Sequence, residues 1–272
     1  MSHTVRLGMV LCGLAAAQAV QAGPDAAAIV KKATAAISGA KTYQATWEIT
    51  SSAGQMGSMV LNMDMKRVPA SGKTYMKIAP TGQATGMMAM GAAMANTTMV
   101  DDGKTAYVYM QAQGGYYKTP HQKNSSGSMK NPLDIANQKN ATFKLKGTEN
   151  VKGSPCYVID VKSPAQVLPN GMVLQISMYI DKATNKTKQI KQVMTLPSSL
   201  MSGMPGGQPN AASGKTSAPP MQVTTLMVMK SEKLNAPLPD SAFKFIPPAG
   251  AKELHGKPMG LGGMGLGGSA RP

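Results

Sequence analysis

The chain has 272 residues, with 28 Lys or Arg against 12 Asp or Glu, a formal net charge of +16. Such an excess suits anionic surfaces or acidic partners, but the lysines are spread along the strands rather than clustered and only 4% of residues are aromatic, so no nucleic-acid partner is expected. No glycine-rich nucleotide loop, nucleophile elbow or metal-ligand histidine spacing occurs; the chain reads as a non-enzyme without a cofactor.

Arg6 precedes an apolar run from Leu7 to Ala19, followed by Val20-Gln21-Ala22. The small or short residues before the Ala22–Gly23 bond predict an export signal over 1–22 and a periplasmic product. The run is too short for a permanent membrane anchor. Removal of Cys12 leaves Cys156 as the one cysteine, and its setting in C-Y-V-I-D-V predicts a buried strand position.

Pro24 and Asp25 open a predicted helix over 24–40, with Ile29, Ala33, Ala36 and Ile37 on one stripe and Gly39 at its end. Tyr43, Ala45, Trp47 and Ile49 then alternate with polar neighbours, as do Met59, Leu61, Met63 and Met65 beyond a turn bracketed by Gly54 and Gly57. A third strand is expected at 74–78. Residues 80–97 break this rhythm: the stretch is nearly uncharged, rich in Met, Ala and Gly, and has no hydrophilic face.

Residues 98–120 read as two hairpins. Asp102-Gly103 suits a type I′ turn and Gly114-Gly115 marks a second reversal. Between them Ala106, Val108 and Met110 alternate with Tyr107 and Tyr109, one set inward and the other displaying rings. Asn131-Pro132 starts a short predicted helix. Strand spacing returns at Phe143–Lys146, Tyr157–Val161, Met172–Ile180, Lys188–Met194 and Val223–Met229, with a turn at 181–187. Residues 196–220 are rich in Pro, Gly, Ser and Ala, the composition of a protruding loop. The Gly/Met tail from 254 to 272 has too little to bury and is expected to be disordered. One large, strongly curved antiparallel sheet in a single domain, 23–253, follows from this pattern.

Three motifs occur in order: Lys66-Arg67-Val68-Pro69 after the second strand, Val100-Asp-Asp-Gly-Lys-Thr-Ala-Tyr-Val-Tyr109, and Phe243-Lys-Phe-Ile-Pro-Pro-Ala-Gly250. Together with the leader and the first helix they resemble the periplasmic outer-membrane lipoprotein carriers and their LolA-like relatives, over roughly 25–253. The resemblance implies an α+β, mainly antiparallel fold: an unclosed half-barrel of about eleven strands with a leading helix and short lid helices over an apolar cavity. It also implies acyl chains of a lipid or lipoprotein as ligand. Arg67 matches the arginine that helps hold the family's lid shut; a solvated strand-end charge is the alternative, and Val68 departs from the motif's spacing.

The composition fits such a cavity. The chain has 24 Met and 3 Phe, and methionine adapts to flexible ligands as well as filling a core. Trp47, Met63, Leu174 and Ile176 are the candidate wall residues, and Met87, Met88, Met90 and Met94 the candidate lid or membrane-touching residues. An anionic membrane surface or an envelope membrane protein is the expected further partner. Two other readings stand at this point: an envelope lipid sensor of the same fold, and a copper protein using the thioethers of Met63-x-Met65, Met227-x-Met229 and the tail.

Overall fold

The computed structural model describes residues 24–121, 140–162, 172–197 and 220–256. The predicted leader, the short helix at 131–136, nearly all of the 196–220 loop and the tail beyond 256 lie outside them. Helix α1 spans Ala26–Ser38. It is followed by β1 (Tyr43–Ser52), β2 (Ser58–Val68), β3 (Lys73–Pro80), helix α2 (Met88–Ala95), β4 (Thr97–Asp101), β5 (Thr105–Met110) and β6 (Gly115–Pro120). The second half holds β7 (Thr142–Val151), β8 (Ser154–Lys162), β9 (Val173–Asp181), β10 (Thr187–Leu196), β11 (Met221–Leu234) and β12 (Lys252–Leu254).

These twelve strands form one sheet, ordered β12-β6-β5-β4-β3-β2-β1-β11-β10-β9-β8-β7. Each pairing among them is antiparallel except the three-residue β12 beside β6. The sheet is therefore two meanders, β1–β6 and β7–β11, joined where β1 pairs with β11 from Tyr43↔Leu234 to Ser52↔Thr224. Its end strands do not meet, so it is an unclosed half-barrel, twelve strands against the eleven expected. The extra strand is β12, too short to carry an alternation; Leu254, read as tail, packs there against Val108, Met110 and Tyr117. A short parallel strand also covers the β6 edge against pairing with another chain.

Period-2 alternation explains the strands. In β1 every second residue from Tyr43 to Ser51 is buried, and in β2 Met59, Leu61, Met63 and Met65 are buried on the same face. The first hairpin turn differs from expectation. Gly103 alone has a positive φ, +89°, so Gly103-Lys104 turns in the type II′ sense rather than Asp102-Gly103 in type I′. The Asp102 carboxylate accepts from the Lys104 and Thr105 N–H groups, both at 2.7 Å, and such a side-chain bond fixes the residue before the turn.

Asp25 is the N-cap of α1, accepting from the Ala27 N–H at 3.0 Å. The buried stripe is Ala26, Ile29, Val30, Ala33 and Thr34, while Ala36 faces solvent. That is a rotation of the predicted stripe toward its N-terminal half. It follows from where the helix lies, over β7 and β9; in the C-terminal turn Ile37 still packs, partly buried, against the apolar cluster.

Part of the Met-rich stretch is helical. Residues 88–95 form α2, packed on β2 and β3. Its approach is set by a backbone contact: Thr85 N–H donates to the Ser58 carbonyl at 2.9 Å, and the Ser58 N–H donates to Thr85 Oγ1 at 3.0 Å. A Cβ on Gly57, whose φ is +100°, would lie 2.0 Å from the Thr85 carbonyl oxygen. Only glycine fits there.

Candidate functional site

The inner face of the half-barrel carries one continuous apolar cluster drawn from both meanders and both helices. Strand register resolves it into rows. One row runs Met110–Thr97–Ile78–Met63–Trp47–Met229 across β5, β4, β3, β2, β1 and β11. The next runs Leu61–Ile49–Met227–Ile190–Met178–Ile159 from β2 to β8. A third contains Met59, Ser51, Thr225, Gln192, Ile176 and Val161. Residues in register share a face and stand close enough to pack.

Trp47, Met63, Leu174 and Ile176 all belong to this face. Trp47 is 0% exposed, so no water-sized space lies against it. These side chains are packed in the interior, with α1 over β7 and β9 and α2 over β2 and β3. The Trp47 Nε1–H has no hydrogen-bond partner among the described residues, a buried donor left unmet. Arg67 sits half-buried at the rim of the same face, in register with Tyr43 and Thr74.

The lid candidates divide. Gly91, Ala92 and Ala95 turn toward the sheet, with Met88 partly buried against the cluster. Met87, Met90 and Met94 point the other way, at 50%, 72% and 43% exposure. The helix is therefore apolar on both sides, with its small residues inward. Small inward residues let the backbone approach the sheet but contribute little buried area.

Of the methionines considered for copper, Met63, Met65 and Met227 are each at most 2% exposed within the apolar cluster and Met229 packs, partly buried, against it, the position core methionines occupy; the tail methionines lie outside the described residues. Cys156 is free and fully buried in β8; burial pushes its thiol pKa up, with Asp181 adding to the effect. Among the described residues no group of three His, Cys, Asp or Glu is placed to hold a metal ion. No helix among them is long and apolar enough to cross a membrane.

Two features escaped sequence reasoning. The polar residues Ser51, Thr225 and Gln192 lie in the third inner row, and the signal was available: Gln192 is in phase with Ile190 and Met194. On the outer face, Phe245 stacks on Tyr107 with ring centroids 4.8 Å apart, and Tyr116 tilts against it at 5.1 Å. The segment around Phe245 thereby closes a cleft of about 390 Å³ over Tyr75, Lys77, Thr98 and Tyr109, flanked by Lys244. No sequence periodicity brings Phe245 to Tyr107; a long-range docking does.

No family model matches the chain, and no curated protein matches it significantly. Among solved structures it is similar to an uncharacterized conserved protein from Thermus thermophilus, at 11% identity over 83% of this chain and 96% of that one, with a TM-score of 0.44. It is similar to a LolA superfamily protein from Nitrosomonas europaea, at 12% identity over 82% and 98%, TM-score 0.35. A third is the Mycobacterium tuberculosis lipoprotein LppX, at 11% identity over 78% and 96%, TM-score 0.41. These are likenesses of fold at low identity and carry nothing about function.

Proposed function

We propose that the chain is a non-catalytic lipid- or lipoprotein-binding protein of the cell envelope that sequesters acyl chains against the inner face of its half-barrel. The observation that supports this is the inner face itself: one continuous apolar cluster across both meanders, interrupted by a few polar residues in its third row and covered among the described residues by two helices, one of them apolar all round. A helix with no polar face is suited to burial or to contact with lipid.

Displacement of α2 is the step by which the face opens. An eight-residue helix has little stability of its own, and its inward residues are Gly91, Ala92 and Ala95. About ten acyl methylenes buried in its place are worth roughly 8 kcal/mol. Met87, Met90 and Met94 then serve twice, as the outer side of the lid in the closed state and as the first contact with a bilayer. The net positive charge, +16 for the whole chain including the leader's Arg6, brings the exported protein to an anionic membrane surface. Arg67, at the rim, is positioned to act on the opening of the inner face.

Purification of the exported protein from its native envelope, followed by mass spectrometry of the organic extract, tests the reading. A stoichiometric lipid or acylated peptide is expected. An empty protein that also leaves a fluorescent lipid untouched contradicts it.

A further inference from the structure

We infer that the third inner row contains a polar anchor for the ligand, made by Gln192 beside the Ser51–Thr225 pair, and that it selects acyl chains joined through a neutral ester or amide over free fatty acids. This rests on the acyl-binding reading and adds a specificity to it.

Ser51 and Thr225 are in register on β1 and β11, their hydroxyls 3.0 Å apart. Gln192 on β10 is in register with Thr225. Ser51 and Gln192 are each 5% exposed. The hydroxyls satisfy one another, but Gln192 Nε2 has no hydrogen-bond partner among the described residues. An amide held in an apolar wall with an unmet donor is costly, and a carbonyl oxygen arriving with the ligand meets that donor.

The charge of the flanking rows sets the selectivity. Met227 and Ile190 lie in register on one side, Met194 and Leu174 on the other, and none carries a charge. An ionised carboxylate in such a place is buried without a counter-ion, which is strongly disfavoured. An ester or amide carbonyl needs only a neutral donor, and Gln192 supplies one.

Titration of the purified full chain with 1-palmitoylglycerol and with palmitate at pH 8, followed by Trp47 fluorescence, tests the anchor. The wild type is expected to bind the ester at least tenfold more tightly than the carboxylate. Gln192→Leu is expected to weaken ester binding several-fold, leave palmitate unchanged, and keep or raise the urea midpoint of the free protein, because it removes an unmet donor. Gln192→Met provides the same reading where Leu disturbs packing. Equal affinities for the two ligands, or an ester preference untouched by both variants, overturns the anchor while leaving the acyl-binding reading in place. A wild type that binds neither overturns both.

Discussion

At the scale of single residues, one buried carboxylate shows how a turn is fixed. Asp181 ends β9 and is 5% exposed. Its carboxylate accepts from the Ala183 N–H at 3.0 Å, the Thr184 N–H at 2.8 Å and the Thr184 hydroxyl at 3.0 Å. The Thr184 backbone bond, more than any other contact, holds Asp181 below the usual carboxylate range, against the opposing effect of burial. A carboxylate whose folded pKa lies below its unfolded value adds stability at every pH above the unfolded value, about 4. That stability is lost as pH falls through the folded value. Asp181→Asn is therefore expected to destabilise the protein by about 1–3 kcal/mol at pH 7 and by less at pH 3, measured as urea midpoints. An equal loss at both pH values would show that the charge is not what holds the turn.

At the scale of elements, strands were far more legible than what covers them. Alternation in Y-Q-A-T-W-E-I-T and in M-V-L-N-M-D-M places Trp47 and Met63 on the buried face, and the structure puts them there in register with each other. The helix over 88–95 was not legible, because a segment apolar on every side has no period to read; its conformation follows from packing on β2 and β3. Gln192 was legible in phase but not in meaning, since a glutamine in a strand is ordinarily a surface residue. Helix α2 carries the element-scale prediction. Changing Met87, Met90 and Met94 together to Gln is expected to move stability by little, about 0.5 kcal/mol per exposed site, while sharply lowering co-sedimentation with anionic phospholipid vesicles. Deleting residues 84–95 should lower lipid binding with the sheet still folded, read by far-ultraviolet circular dichroism. Unchanged vesicle binding in the triple variant and unchanged lipid affinity in the deletion would remove α2 from the mechanism.

At the scale of the whole molecule, the inner face exists because β1 pairs with β11 across nearly the full length of the described chain, Tyr43 with Leu234. Local turn signals predict each meander but not this seam, which unites two half-faces into one apolar surface. Trp47 lies on the seam, flanked in register by Met63 on β2 and Met229 on β11. It is the only tryptophan in the chain, so its fluorescence reports on the middle of the inner face and nowhere else. The most direct measurement is therefore quenching by a lipid brominated along its acyl chain, compared with the same lipid unbrominated, since bromine quenches only on close approach. Acyl sequestration against this face predicts that the brominated lipid quenches Trp47 saturably and stoichiometrically, well beyond the change in emission that binding of the unbrominated lipid itself produces. Equal emission with the two lipids, at concentrations where lipid is bound, would place the ligand elsewhere and contradict the account.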